Sequence, residues 1–324
     1  MSVQRAEGAV ERTDGATRGL RTAVLIPCFN EATTIAQVVA DFRAAVPAAV
    51  IYVYDNNSTD QTVRVAEQSG AVVGRERRQG KGNVVRRMFR DIDADIYVLV
   101  DGDATYDAAS VRGLIAELIA GHHDMVVGAR VSQGETAYRR GHRFGNRMLT
   151  GFVGGIFGTD LRDMLSGYRV FSRRFVKSFP ALSSGFEIET ELTVHALELE
   201  LPIVEVDTPY YARPAGSASK LNTWSDGVCI MFTILQLYRS ERPLAFFTIV
   251  GVLLAAASVV LAVPIFVTYL QTGLVPRIPT AILSTGLMIL AFLSIAIGFV
   301  LDTVTRGRRE MKLLAYLAQP PSEG

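Results

Sequence analysis

Two long uncharged segments near the carboxyl end set the strongest limit on how this chain of 324 residues can fold. No Asp, Glu, Lys or Arg occurs between Leu244 and Leu270, or between Thr280 and Leu301. A helix needs about 20 apolar residues to cross a hydrocarbon core of about 30 Å, so each segment is long enough. Buried core helices are the alternative, but uncharged runs of this length are rare in soluble domains. The sequence therefore predicts transmembrane helices at 244–270 and 280–301.

Positively charged residues are concentrated outside the two predicted spans. Cytoplasmic loops of membrane proteins carry an excess of Lys and Arg. The short connector between the spans holds one cation, Arg277, whereas the outer flanks hold several: Arg239, Arg242, Arg306, Arg308, Arg309 and Lys312. We therefore expect both termini, and the domain that precedes the spans, to lie in the cytoplasm.

The remaining segments have distinct compositions. Residues 1–20 are polar and Gly-rich without a long apolar run, which is typical of a disordered tail rather than of a signal peptide. We expect a soluble domain at 21–225, an amphipathic juxtamembrane helix at 226–243 and a cytoplasmic tail at 302–324. The two cysteines are far apart, as suits a reducing compartment, and the net charge of +1 gives no reason to expect nucleic acid as a partner.

The soluble domain at 21–225 alternates short apolar runs with segments of helical periodicity. The predicted strands lie at 22–27, 50–54, 71–73, 96–100 and 125–127. Such alternation predicts a Rossmann-like α/β fold with a mostly parallel sheet, in which ligands bind at the carboxyl ends of the strands. The absence of GxGxxG after the first strand and of GxxxxGK[ST] disfavours dinucleotide reductases and phosphate-loop NTPases.

Carboxylates follow two of these strands directly. Asp55 ends the second strand, and Asp101-Gly102-Asp103 follows the buried strand YVLV and precedes a helix. Two carboxylates around a glycine can reach one hard divalent cation, Mg²⁺ or Mn²⁺. Such a cation bridges diphosphate oxygens and offsets the charge of a departing nucleoside diphosphate. None of the four histidines has the spacing of metal ligands, so we interpret them as surface or packing residues.

At this point the residues resemble a family. The strings VLIPCFNEATTI, VYDNNSTDQT, GKG and VDGDATY resemble, in order and spacing, the nucleotide-sugar half of the family-two glycosyltransferases of GT-A fold. The resemblance implies a GT-A catalytic domain in which Asp101 and Asp103 hold the metal. It also implies a set of nucleotide-binding residues, which are Pro27, Asn30, Glu31, Asp55, Asn57, Lys81, Asp101 and Gly102.

The second half of the domain resembles the polyprenyl-phosphate hexosyltransferases. These include dolichol-phosphate mannose synthases and bacterial undecaprenyl-phosphate glucosyltransferases with two carboxyl-terminal spans; the matching strings are DMLSGYR, GFEIE and YAR. The resemblance implies that a closing loop contacts the donor diphosphate through Arg213, Ser217 and Lys220. It implies an acceptor-phosphate site at Arg130, Arg143 and Asn146. The catalytic residues that the resemblance implies are Asp103, Asp163, Arg169, Glu187 and Arg213. It also suggests a homotetramer.

The basic run Arg139 to Arg147 leads into the apolar stretch Met148 to Phe157. That pattern suits a lipid with an anionic head, and equally an ordinary interfacial helix. A phosphate monoester, whose second pKa is about 6, needs no strong general base. For Asp163 and Glu187 we therefore expect orienting roles, with burial of Asp163 against Arg169 as the alternative.

Together these features predict transfer of a sugar, from UDP-linked glucose or N-acetylglucosamine, to undecaprenyl or dolichyl phosphate in the membrane, with inversion implied by the resemblance. Three alternatives remain. A processive polysaccharide synthase would carry a Gln-x-x-Arg-Trp pattern, but the one tryptophan, Trp224, lies in NTWSDG. A non-catalytic nucleotide-sugar-binding subunit is the second, and intact Asp101 and Asp103 speak against it. A membrane anchor with a degenerate catalytic domain is the third, and it would be expected to have lost one or more of the phosphate-facing cations.

Overall fold

The computed structural model describes residues 19–132, 140–158, 161–182, 185, 187–214 and 235–320, with only the backbone described at 132 and 140–147. The chain divides into two compact units. The larger consists of residues 1–230 and 312–324, and the smaller of residues 231–311. The predicted tail at 1–20 and the first half of the predicted juxtamembrane helix fall almost wholly outside the described residues.

A sheet of seven strands forms the centre of the larger unit. The strands are β1 (Thr22–Cys28), β2 (Val50–Asp55), β3 (Val72–Arg75), β4 (Ile96–Leu99), β5 (Met125–Ser132), β6 (Arg169–Ser172) and β7 (Ile203–Tyr210). Their order is β3-β2-β1-β4-β6-β5-β7. Strand β6 is antiparallel to β4 and β5, and the other neighbouring pairs are parallel. The predicted α/β architecture with a mostly parallel sheet is confirmed.

The sequence patterns located five of the seven strands. Strand β5 continues to Ser132, beyond the predicted end at 127. Strand β6 was not predicted because it has only four residues, RVFS, and directly precedes a helix. Strand β7 was not predicted because Glu205 and Asp207 interrupt its apolar residues.

Helices cover both faces of the sheet. They are α1 (Ile35–Ala45), α2 (Thr62–Gln68), α3 (Lys81–Asp91), α4 (Val111–Ala120), α5 (Arg140–Phe157), α6 (Arg173–Ser178) and α7 (Ile188–Glu198). Leu25 of β1 packs with α3, α6 and α7 on one face, and Val24 and Ile26 pack with α1 and α4 on the other. Successive strand residues point to opposite faces, so buried strands of this kind are apolar throughout.

Histidine 195 of helix α7 is a packing residue of the first of these cores. Its ring lies edge-on to Phe175 and Phe179, with centroids 5.4 and 5.2 Å away. Neither ring nitrogen has a hydrogen-bond partner among the described residues. Burial lowers the pKa of His195 to about 3, with a smaller contribution from the charge of Lys312. The side chain is therefore neutral in the folded protein at neutral pH.

The last described helix ends within the larger unit, where its final residues contact the sheet domain. Lys312 Nζ lies 2.5 Å from Glu198 Oε2, and the Tyr316 hydroxyl donates to Asp124 Oδ2 at 2.7 Å. The Arg174 guanidinium lies 4.4 Å from the centroid of the Tyr316 ring. Burial and the Asp124 carboxylate raise the pKa of Tyr316 to about 12. The segment expected to be a tail is thus helical as far as Leu317, and its residues from Lys312 onward belong to the larger unit.

The smaller unit contains the apolar helix α8 (Pro243–Thr272) and most of the apolar helix α9 (Ile278–Leu317), as far as Met311, after a helical stretch at 235–241. Both helices are long and apolar enough to cross a membrane. The hydroxyl of Ser258 donates to the carbonyl of Ser284 at 2.7 Å, and Ser284 donates back to Ser258 at 3.0 Å. Reciprocal serine bonds of this kind join helices where water is absent. These features suggest membrane anchoring.

The His195 environment predicts a specific acid sensitivity. The ordinary pKa of histidine is 6.5, and that of His195 in the folded protein is about 3. Below pH 6.5, His195 therefore binds a proton in the unfolded state but stays neutral in the folded state. Stability from this group is complete above pH 6.5 and falls by about 1.4 kcal/mol per pH unit below it. We expect His195→Leu to flatten the decline of the melting temperature between pH 6.5 and 4.5. The exposed His122→Asn variant is the control, and an equal effect of both changes would contradict this account.

Candidate functional site

The loops that follow β1 and β2 are tied together by side chains from the predicted nucleotide set. Asn30, with a φ of 54°, donates its N–H to Ser58 Oγ at 2.8 Å, and its Oδ1 accepts the N–H of Thr59 at 2.8 Å. Asp55 is buried and accepts the N–H of Ser58 at 3.2 Å. Glu31 is also buried and donates its N–H to Thr62 Oγ1. These contacts set the shape of one wall at the carboxyl edge of the sheet.

The asparagines after Asp55 hold the loop that leads to Lys81. Asn56 accepts the N–H of Gly80 at 2.7 Å and donates to the carbonyl of Arg78 at 2.8 Å. Asn57 donates to the carbonyl of Arg77 at 2.8 Å. Gly80 has a φ of 126°, which is open to glycine but rarely to other residues. Lys81 is thereby placed as the first residue of α3, with its side chain at the same edge of the sheet.

Lys81 lies between two carboxylates. Its ammonium contacts Asp101 Oδ1 and lies 2.5 Å from Glu189 Oε1. Burial lowers the pKa of Lys81, but the charges of Asp101 and Glu189 outweigh burial and raise the pKa above its usual value. Lys81 is therefore a fixed cation, and Glu189 is a site residue that was not among the predicted ones.

The Asp101-Gly102-Asp103 loop directly follows β4. A Cβ at Gly102 would lie 2.7 Å from the Cys28 sulfur, so close backbone approach accounts for the glycine. Asp103 accepts from the Thr105 hydroxyl at 2.6 Å through Oδ1, and Arg213 lies 2.6 Å from Oδ2. Both predicted metal-binding carboxylates thus face a cationic side chain.

The two aspartates fit part of the coordination shell of a divalent cation. Carboxylate oxygens are ligands that Mg²⁺ and Mn²⁺ accept readily, and such ions in phosphate sites complete their shells with phosphate oxygens and water. No cluster of three or more His, Cys, Asp or Glu side chains that could hold a metal occurs in the described part of the chain. Thr105 orients Asp103 and does not add a carboxylate or amide ligand.

The segment before β6 packs against Asp101. A Cβ at Gly167 would lie 2.5 Å from Asp101 Oδ2, and the N–H of Gly167 donates to the Tyr106 hydroxyl at 2.9 Å. Tyr106 packs on Tyr210 with a centroid separation of 5.3 Å. Burial raises the pKa of Tyr106 well above its usual value, so Tyr106 is a neutral hydrogen-bonding group. The segment Ser166-Gly167-Tyr168 therefore shapes the wall opposite Lys81.

Arg169 does not reach the site surface, which contradicts its predicted place in the catalytic set. Its side chain is completely buried. The guanidinium donates to the carbonyls of Ser166 and Met164 at 2.9 and 2.5 Å, and to the Thr193 hydroxyl at 2.9 Å. Burial lowers the pKa of Arg169 to about 10. Arg169 therefore fixes the segment before β6 from the buried side, through the carbonyls of Met164 and Ser166.

Asp163 pairs with Arg130 and not with Arg169. The Arg130 guanidinium donates to both Asp163 oxygens at 2.7 Å, and its backbone N–H donates at 3.1 Å. Bidentate pairs of this type fix the plane of the guanidinium. The Arg130 guanidinium also lies 5.5 Å from the centroid of the Tyr210 ring. Asp163 thus has Arg130 as its partner where the alternative had Arg169, and its orienting role in the reaction stays a prediction.

The other predicted residues are placed as follows. Pro27 lies in β1 opposite Tyr54, and Glu187 is exposed just before α7. Arg143 and Asn146 lie in α5 at positions where only the backbone is described, and Ser217 and Lys220 lie outside the described residues. The structure adds Asn56, Thr105 and Glu189 to the site. The GFEIE string indicated a site carboxylate, but periodicity could not choose Glu189, because nearly all of α7 is buried.

Comparison with known proteins identifies the family. The family model described as Glycosyl transferase family 2 matches residues 23–179. Glycosyltransferase AglJ of Haloferax volcanii is 37% identical over 248 residues, which cover 76% of this chain and 80% of that protein. The dolichyl-phosphate hexose transferase of the same organism is 26% identical over 220 residues, covering 68% of this chain and 95% of that protein.

Solved structures confirm the fold. The crystal structure of glucosyl-3-phosphoglycerate synthase from Mycobacterium tuberculosis, in complex with Mn²⁺, uridine diphosphate and phosphoglyceric acid, superposes with a TM-score of 0.57 at 23% identity. The match covers 71% of this chain and 81% of that one. The predicted GT-A fold is thereby confirmed, and the chain belongs to glycosyl transferase family 2.

Proposed function

We propose that this glycosyltransferase moves a sugar from a UDP-linked donor, glucose or N-acetylglucosamine, to polyprenyl phosphate with inversion. Two findings support a lipid acceptor: the similarity to a dolichyl-phosphate hexose transferase, and the two carboxyl-terminal helices that could span a membrane. Undecaprenyl and dolichyl phosphates carry the same phosphate group on a long apolar chain, so the same site chemistry suits both. The product is a sugar linked through phosphate to the lipid.

One observation carries the proposal. Two aspartates at the carboxyl edge of the sheet, Asp101 and Asp103, lie beside two fixed cations, Lys81 and Arg213. This charge pattern suits a diphosphate held with a divalent cation, because cations and carboxylates alternate around the place where phosphate oxygens would bind. Asp55, at the end of β2, can accept a hydrogen bond from a pyrimidine N–H of the donor base.

Asp101 and Asp103 would hold Mg²⁺ or Mn²⁺, which when bound offsets the negative charge of the departing nucleoside diphosphate. Lys81 and Arg213 would donate to diphosphate oxygens, and Ser217 and Lys220 would add further donors. These preorganised charges stabilise the leaving group without reorganisation. Thr105 keeps the Asp103 carboxylate in one orientation through its hydroxyl.

The acceptor phosphate is itself the nucleophile. Its oxygen forms a bond to the anomeric carbon while the bond from that carbon to the diphosphate oxygen breaks, so the configuration inverts. The acceptor is already ionised at neutral pH, and no proton has to be removed. Arg130, whose guanidinium plane is fixed by the two hydrogen bonds to Asp163, would bind the acceptor phosphate together with Arg143 and Asn146. Arginine suits this role because its fork matches phosphate oxygens.

We propose that the catalytic domain and both termini lie on the cytoplasmic side. The contacts of Lys312 with Glu198 and of Tyr316 with Asp124, all within the larger unit, support this, because residues before and after the two apolar helices then share one side of the membrane. Two crossings return the chain to that side, and the flanking arginines and lysine favour the cytoplasm. A homotetramer remains our expectation for the assembled enzyme.

Transfer to lipid is tested directly with purified protein in detergent. The assay combines polyprenyl phosphate, MgCl₂ or MnCl₂, and radiolabelled nucleotide-sugars, and follows label into the organic phase. We expect label to be extracted with UDP-glucose or UDP-N-acetylglucosamine. Release of free sugar without a lipid product would contradict the acceptor, and no turnover with any donor would favour a nucleotide-sugar-binding subunit.

Asp103 is expected to be essential for turnover. In the Asp103→Asn variant one carboxylate of the proposed cation site is lost, and we expect kcat to fall by roughly 10²-fold or more, as on removal of other preorganised charges. Asp107→Asn is a matched control, because Asp107 lies on the same loop but caps a short helix through Ser110. Near-normal turnover of Asp103→Asn with saturating MnCl₂ would refute the metal role of Asp103.

Arg213 is expected to have opposite effects on metal and nucleotide binding. Its guanidinium lies 2.6 Å from Asp103 Oδ2, so it would compete with a cation for that oxygen, and Arg213→Ala should tighten binding of Mn²⁺ alone, measured by electron paramagnetic resonance. The same variant should bind UDP about tenfold to a hundredfold more weakly in the presence of Mn²⁺, because a charged hydrogen bond to diphosphate is lost. Arg162→Ala, at an exposed pair with Asp207, is the control. Weaker Mn²⁺ binding by Arg213→Ala would contradict this competition.

A further inference from the structure

The two carboxylates that hold Lys81 differ in their access to a ligand. The side chain of Asp101 is 29% exposed, whereas that of Glu189 is 6% exposed and that of Lys81 is 9% exposed. A cation or nucleotide arriving at the site can therefore reach Asp101 directly, and Glu189 lies behind Lys81. Asp101 has a proposed role in donor binding, but that role leaves Glu189 unexplained.

Glu189 retains an unused acceptor beside Lys81. Its Oε2 atom is buried and has no hydrogen-bond partner among the described residues. A buried carboxylate oxygen without a donor is costly, so a donor is expected during function. A lysine ammonium has three donor protons, and Lys81 can therefore bond both oxygens of Glu189 once Asp101 turns to another cation.

The backbone brings Lys81 and Glu189 together independently of Asp101. The N–H of Gly82, next to Lys81, donates to the carbonyl of Gly185 at 3.1 Å, just before α7 begins. Glu189 lies in the first turn of α7. The starts of helices α3 and α7 thus face each other, and the contact does not pass through the Asp101 loop.

We propose that Glu189 is a positioning residue for donor binding, which holds Lys81 in the site while Asp101 engages the nucleotide and the divalent cation. Lys81 then meets the donor diphosphate as a cation of fixed position. Without Glu189, Lys81 would lose its remaining carboxylate partner once Asp101 binds the cation. The Lys81 side chain could then turn away from the site. This inference rests on the proposed function for its nucleotide-sugar donor but not on the identity of the acceptor.

The first test measures nucleotide binding rather than turnover. UDP and GDP are titrated calorimetrically into the full-length protein in detergent with MnCl₂, and the tighter ligand is kept. We expect Glu189→Gln to weaken its binding about tenfold to a hundredfold, as for loss of a charge-assisted hydrogen bond. The control is Glu191→Gln, the same change in the same turn, at a carboxylate that accepts the N–H of Leu182. We expect no more than about a twofold change for this control.

The second test asks whether Glu189 acts through Lys81. If it does, Lys81→Met and the double variant Lys81→Met/Glu189→Gln should bind the nucleotide equally weakly, because the two effects are not additive. Glu189→Asp keeps the charge and should restore part of the binding. In the transfer assay, Glu189→Gln should raise KM for the donor more than it lowers kcat, whereas a general loss of structure would lower the amount of active protein without changing KM.

Several outcomes overturn the inference. Glu189→Gln and Glu191→Gln with equal affinities would do so, as would additive losses in the double variant. If Glu189→Gln fails to unfold cooperatively, Glu189→Asp and Glu189→Asn are compared instead, and equal binding by these two refutes a role for the charge. Nucleotide binding without a lipid-linked product would refute the proposed acceptor alone, and leaves the Glu189 comparison decisive. Binding of neither nucleotide by the wild-type protein overturns both proposals.

Discussion

The antiparallel strand β6 is the constraint on which the site depends. Strands β1, β2 and β4 run parallel to one another, so their carboxyl ends meet at one edge. Because β6 runs against β4 and β5, its amino end lies at that same edge. The segment before β6 is thereby pressed against Asp101, close enough that only glycine fits at position 167. A purely parallel sheet would place this segment at the opposite edge, far from the donor loops.

Charge pairing is the second organising feature. Buried charges are tolerated when they are paired, and four acidic side chains at the site each have a basic partner. The pairs are Asp101 and Glu189 with Lys81, Asp103 with Arg213, and Asp163 with Arg130. The listed groups comprise four carboxylates and three cations, so one negative charge is left without a basic counterpart in this set. Under the proposed function, binding of a diphosphate with its cation would exchange partners within this cluster.

The sequence predicted the parts of the fold that depend on local periodicity. Five strands and two apolar helices follow from runs of apolar residues, and Asp55 and Asp101 follow from their positions after strands. The pairing of Asp163 with Arg130, and not with Arg169, depends on the register of β5 against β6, which no local pattern encodes. Glu189 escaped prediction for a similar reason. Its neighbour Glu187 shares the motif, and only the contact between the starts of α3 and α7 decides which carboxylate faces Lys81.

The end of α9 completes a domain by contacting residues that lie more than a hundred positions earlier in the chain. Tyr316 bonds Asp124, and Lys312 pairs with the buried Glu198. During synthesis, the ribosome makes the whole sheet and both apolar helices before either contact can form. Until then, Asp124 and Glu198 lack these partners. The finished domain is thus distinguishable from one whose apolar helices are still being made, because only the finished chain has the end of α9 bonded to Asp124 and Glu198.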